Sequence, residues 1–169
     1  MESIYNYTIE MLKQYFLDQG EKPFRSSQII EWLYRHQIDT LDEMTNIKKA
    51  IVEQMKQDFY LPRLECVTRQ VSSDGTQKFL FRLEDGNLIE TVLMHHEYGY
   101  SVCVTTEVGC NMNCQFCASG MKKKLRNLET SEIILQILTI SKLTGLRISH
   151  VVVMGIGEPF DNYENVIRF

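Results

Sequence analysis

The chain has 169 residues, 44% of them hydrophobic and 24% charged, with a net charge of −4. That composition excludes a disordered chain and leaves room for one ordinary domain, or for a small domain with part of a larger one. The acidic balance lacks the basic footprint usual in nucleic-acid binders, and no secretory or membrane-spanning segment is legible, so a cytoplasmic protein without a membrane partner is expected.

Residues 1–62 read as a small helical accessory domain. Ile9, Leu12, Phe16 and Leu17 fall on one helical face. Ile29, Ile30, Trp32, Leu33 and Tyr34 make a second apolar patch, and Ile47, Ile51, Val52 and Met55 a third. Gly20 to Pro23 separates the first two, Thr40 and Glu43 have the spacing of a capping box before the third, and Pro62 closes the section. Residues 63–98 read as a β-meander. Its strands are Leu64 to Val71, Thr76 to Leu83 and Leu88 to Met94, with Asp74-Gly75 and Asp85-Gly86 as turns.

Residues 99–169 change pattern again. Val102 to Val108 is strand-like, Thr130 is placed to cap a helix running to Leu143, and Gly145 ends it. Ile148 to Met154 reads as an apolar run suited to a strand buried on both faces, and Asn162 to Phe169 opens another helix. The expected fold class is therefore α/β: a helical N-terminal domain and a β-meander leading into the first β-α-β unit of a partial TIM-type barrel. One such unit cannot close a barrel, so the chain is expected to be truncated at its C-terminal side.

Three of the five cysteines crowd into eight positions. Cys110, Cys114 and Cys117 form a C-x-x-x-C-x-x-C loop after a strand, at the end where α/β barrels carry their active sites. Soft thiolates suit the irons of a [4Fe–4S] cluster. Three thiolates leave one iron open to chelate the amino and carboxylate groups of S-adenosylmethionine (SAM), which makes this a radical SAM loop. Phe116, beside the last cysteine, is a candidate to pack on the adenine of SAM. Two blander readings remain at this point: a structural zinc completed by His95 or His96, and unrelated buried cysteines. Gly155-Ile156-Gly157-Glu158-Pro159 follows the second barrel strand. Its glycines permit close approach to a ligand, and Glu158 is a candidate acceptor for the SAM amino group. Lys122, Lys123, Lys124 and Arg126 form the one basic cluster, either a solvated surface or a phosphate contact beside the site.

Together these residues resemble one family. The run from Val108-Gly109-Cys110 to Cys117-Ala118-Ser119, then Arg126-Asn127-Leu128, then Gly155 to Pro159, is similar to the RlmN family of adenine C2 methyltransferases, with Cfr-like C8 methyltransferases as relatives. Phe24-Arg25 through Trp32-Leu33-Tyr34 and the strand Ile89 to Met94 extend the resemblance over nearly the whole chain. It implies a radical SAM methyltransferase acting on C2 of adenine 2503 in 23S rRNA and of adenine 37 in tRNAs, through a methylated cysteine and a 5′-deoxyadenosyl radical. It also implies an electron donor such as flavodoxin, and a monomer when full length. By the same resemblance Cys103 is the resolving cysteine, which forms a transient disulfide, and Glu90 is a proton acceptor. Without it, Cys103 reads as a small buried hydrophobe, and Glu90 equally as a solvated carboxylate on a half-exposed strand or as a functional one. Cys66 matches nothing catalytic. Pro159 after Gly157-Glu158 matches the C2 group rather than the C8 relatives. The methyl-carrying cysteine of the family lies C-terminal to Phe169, so the isolated chain is expected to be inactive. The alternatives are a Cfr-like C8 enzyme and a non-enzymatic iron–sulfur or zinc RNA-binding module.

Overall fold

Apolar residues three and four apart build the N-terminal helices. The computed structural model describes the backbone of residues 1–169 and the side chains of all but residues 120 and 121. Its contacts divide the chain into two compact units, Met1–Pro62 and Arg63–Phe169.

In the first unit, β1 (Glu2–Ser3) pairs in parallel with β2 (Phe59–Tyr60). Helix α1 (Ile9–Asp18) starts at Thr8, whose hydroxyl oxygen accepts a hydrogen bond from the Met11 N–H at 3.2 Å. It buries Leu12 and Phe16, one turn apart, whereas Leu17 falls off that stripe and is 51% exposed. Helix α2 (Arg25–Ile30) runs into a π-helical turn (Glu31–His36) that stops at Gln37 in the left-handed region. Helix α3 (Lys49–Asp58) buries Ile51, Val52 and Met55. The Thr40–Glu43 capping box exists, with the Thr40 N–H donating to Glu43 Oε1 at 2.8 Å. It caps a short 3-10 turn (Leu41–Glu43) rather than α3.

The second unit holds β3 (Glu65–Val71), β4 (Gln77–Arg82), β5 (Leu88–His96), β6 (Gly99–Cys103), β7 (Glu107–Val108), β8 (Arg126–Asn127), α4 (Thr130–Thr144), β9 (Ile148–Val152) and α5 (Tyr163–Arg168). Five strands form one sheet in the order β3-β4-β5-β6-β9. β3 to β6 are antiparallel, and β9 joins β6 in parallel, the product of a helical crossover through α4. Alternation places Phe79, Phe81, Ile89, Thr91 and Leu93 on the buried face. The meander strands and the first β-α-β strands therefore share a single sheet.

Three local expectations are corrected. The stretch Val102 to Val108 is not one strand: β6 stops at Cys103, and the chain re-enters a two-stranded ribbon as β7 against β8. Thr130 is the first helical residue of α4 rather than its cap. Glu129 holds the cap position, and its N–H donates to the Glu132 carboxylate at 2.9 Å. β9 is not buried on both faces. Ser149 and His150 interrupt its apolar run and are exposed, and among the described residues β9 has a strand on one side only. No helix among the described residues is long and apolar enough to cross a membrane.

Candidate active site

The cysteine loop is fastened at its neck. β7 and β8 pair Glu107 with Asn127 and Val108 with Arg126. Beyond them, the Leu125 N–H donates to Val108 O at 2.7 Å and the Cys110 N–H to Lys122 O at 2.9 Å. The Lys124 N–H adds a bond to Asn111 Oδ1 at 3.2 Å. The crossing is so close that a Cβ on Gly109 would sit 2.2 Å from Lys123 O, and Gly109 takes φ 77°, which only glycine adopts at low cost. Cys110 is half-buried at the neck, and its Sγ accepts the Met112 N–H at 3.4 Å. Cys114 and Cys117 are exposed, and Phe116 between them is 94% exposed.

The five cysteines form no disulfide among the described residues. Nor are any three His, Cys, Asp or Glu side chains among them grouped to hold a metal ion. The donor set is nevertheless of one kind: three accessible soft thiols on one loop, which suits iron–sulfur ligation. The zinc alternative fares worse. His95 and His96 pair with Tyr100 and Gly99, at the start of β6, whereas the cysteine loop follows the other end of that strand.

The Gly155–Pro159 segment packs against the same neck. The N–H groups of Thr106 and Glu107 both donate to Ile156 O, at 3.0 and 3.3 Å. A Cβ on Gly155 would lie 2.6 Å from Val104 O, and one on Gly157 would lie 2.5 Å from Glu107 Cγ. In this structure the two glycines thus serve contact with the β6–β7 backbone and with Glu107. The Glu107 side chain is fully buried, paired with the Lys124 ammonium, and accepts the Glu158 N–H at 3.3 Å. Glu158 spends Oε1 on the Phe160 N–H at 3.0 Å, capping the turn Pro159–Asn162.

Neck, meander and glycine segment enclose a half-open cleft of about 640 Å³. Leu80, Leu88, Val108, Leu125 and Ile156 supply its apolar wall, and Glu90 its carboxylate. Glu90 is half-buried and paired with Lys78 at 3.1 Å. Cys103 ends β6 opposite Val92 and Val152, and burial pushes its thiol pKa up. The cleft therefore brings together Glu90, the loop neck and Ile156. Cys103, Phe116, Gly157 and Glu158 are not part of its lining.

The basic cluster divides. Lys124 is committed to Glu107. Arg126 makes a bidentate pair with Glu132 at 2.7 and 2.8 Å and a third bond to Asp85 at 2.6 Å. That guanidinium holds the Asp85 carboxyl at about 2, well below the usual carboxylate range. Lys122 and Lys123 stay exposed and line the cleft.

Two side chains escaped the sequence reading. Gln136 on α4 is fully buried. Its Oε1 accepts from Thr91 Oγ1 at 2.7 Å and from the Thr105 N–H at 2.9 Å, and its Nε2 donates to Thr105 O at 2.9 Å. Asn162 donates through Nδ2 to Thr106 O and to Leu128 O, both at 2.8 Å. The available signal was a single amide inside an apolar helix, Ile133-Ile134-Leu135-Gln136-Ile137-Leu138.

Comparison with known proteins places this arrangement. Residues 3–61 match the family model described as the ribosomal RNA large subunit methyltransferase N-terminal domain. The probable dual-specificity RNA methyltransferase RlmN of Bacillus velezensis is 51% identical over 99% of this chain and 47% of its own length. The protein of the same name from Acholeplasma laidlawii is 51% identical over 98% of this chain and 49% of its own.

The chain belongs to the RlmN family.

It spans about half the length of these RlmN relatives. A solved radical SAM methyltransferase from Sphaerobacter thermophilus shares the mixed α/β fold with a TM-score of 0.86 and 35% identity, over 99% of this chain and 50% of that one. The RlmN match takes in the cysteine loop, the cleft and the glycine segment as well as the helical unit.

Proposed function

We propose that the RlmN-family protein represented by this chain is a radical SAM methyltransferase that methylates C2 of adenine 2503 in 23S rRNA and of adenine 37 in tRNAs. The observation that carries the reading is the convergence on one cleft of the cysteine-loop neck, the Glu90 carboxylate and Ile156 of the glycine segment. Cys110, Cys114 and Cys117 would hold a [4Fe–4S] cluster, with SAM on its open iron. Together these supply one-electron chemistry, which adenine C2 requires because that carbon is not nucleophilic. An electron donor such as flavodoxin would feed the site, and the full-length protein would act as a cytoplasmic monomer.

The remaining roles fall to the chain's own residues. The cleft's apolar wall excludes water and holds the base, while Glu90 at its edge takes the proton lost from C2. Cys103 then acts on the cysteine that joins base and protein. Its thiolate attacks that sulfur, an S–S bond forms, and the C–S bond breaks with its electron pair passing to the methylene carbon. That carbon takes up a proton and becomes the methyl group. Glu158 keeps Oε2 available for the SAM amino group, Gly157, packed against Glu107, offers its backbone beside it, and Phe116 covers the adenine of SAM. The test is methylation of unmodified 23S rRNA by the full-length protein with reductant and labelled SAM. The expected product is 2-methyladenosine. A main product of 8-methyladenosine overturns the regiochemistry, and unmethylated RNA overturns the reading.

A further inference from the structure

Four cations sit together in the sequence, and the fold uses them in two ways. Lys124 is turned inward onto buried Glu107, and Arg126 is saturated by Glu132 and Asp85. Neither has charge to spare for a ligand. Lys122 and Lys123 differ in both respects. Their backbone is pinned, with Lys122 O accepting the Cys110 N–H at 2.9 Å and Lys123 O pressed against Gly109. Their side chains are exposed, line the cleft, and join no ion pair among the described residues. The result is two unneutralised ammonium groups on a fixed backbone, at the edge of a cleft with a largely apolar wall and the single carboxylate of Glu90, itself paired with Lys78.

We infer that Lys122 and Lys123 hold two backbone phosphates of a single-stranded RNA segment whose base enters the cleft, and that Lys124 and Arg126 take no part in RNA contact. This rests on the proposed RNA substrate. The geometry reconciles an acidic chain with a polyanionic partner, because the contact needs only a local pair of charges. Backbone phosphates give affinity and register while the cleft selects the base. An RNA loop suits the arrangement better than a duplex, since its unstacked base can leave the strand.

Each phosphate neutralised on a single strand contributes about 0.7 to the slope of log K against log salt, so two contribute about 1.4. The experiment measures binding of full-length, cluster-loaded protein to an RNA hairpin bearing the target adenine, across a salt series. Lys122→Gln/Lys123→Gln should lower the slope by about 1.4. Lys122→Arg/Lys123→Arg should keep it, and Arg147→Gln, at the opposite end of the strands, should leave it unchanged. Iron content checks that the loop survives in each variant. Where the double variant loses iron, the single glutamine variants decide, each with about half the change. Salt-dependent binding by the wild type with an unaltered slope in the glutamine variants overturns this inference alone. Absence of RNA binding by the wild type overturns it together with the proposed function.

Discussion

Replacing Gln136 with Leu tests the join between α4 and the sheet. The amide is fully buried and satisfies three groups at once: the Thr91 hydroxyl, the Thr105 N–H and the Thr105 carbonyl. Leucine fills a similar volume and leaves all three without that partner. A buried polar group stripped of its partner costs about 1–3 kcal/mol. The Thr91 hydroxyl can rotate, and Thr105 Oγ1 is already held by Glu90 O and by the Ile156 N–H, so the two backbone groups of Thr105 dominate. Allowing ~1 kcal/mol for the gained apolar burial, the net loss is about 3 kcal/mol. For a unit of this size that lowers Tm by about 12 °C. Thr91→Val should cost only ~1 kcal/mol, because Gln136 keeps its bonds to Thr105. Urea and thermal unfolding of the two variants measure both numbers. A Gln136→Leu loss below about 1 kcal/mol would refute the claim that this amide fastens the crossover helix to the cleft strands.

Gly157→Ala places a Cβ 2.5 Å from Glu107 Cγ at φ 109°, and Glu107 cannot retreat from its buried pair with Lys124. The expected loss is about 2–4 kcal/mol in denaturant unfolding, and a neutral result would show that the glycine segment is free to move. Asp85 titrates at about 2 beside Arg126, below its unfolded value of about 3.9, so its contribution to stability is full above pH ~4 and fades as pH falls toward ~2. Acid unfolding of Asp85→Asn should show a shallower pH dependence in that window, by a modest amount because the site is part-exposed. The half-buried Cys103 thiol should be alkylated more slowly than exposed Cys114 at neutral pH and should speed up as pH rises. In the full-length protein, Cys103→Ala should trap a covalent RNA adduct on denaturing gels, whereas normal turnover would remove this thiol from the reaction.

Much of the fold was legible because its signals are local. The strand-like stretches Thr76 to Leu83 and Leu88 to Met94 are set off by Asp74-Gly75 and Asp85-Gly86, which mark their turns. The cysteine spacing carries its chemistry within eight residues. What escaped depends on the third dimension. The packing of Gly157 on Glu107, fifty residues earlier, has no signal in the sequence. Arg126 reads as one cation of a run until Asp85 and Glu132 converge on it. Val102 to Val108 reads as one strand because β-branched residues favour extension, yet the Gln136 amide occupies the Thr105 backbone where the ladder would continue.

Metal analysis of the anaerobically reconstituted full-length protein decides whether Cys110, Cys114 and Cys117 hold the proposed iron–sulfur cluster. About four irons and four sulfides per chain are expected, as in a cubane cluster. They should be lost with Ala at Cys110, Cys114 or Cys117, and retained in Cys66→Ala and Cys103→Ala. Stoichiometric zinc without sulfide would rule the cluster out and assign the three thiolates to a zinc site.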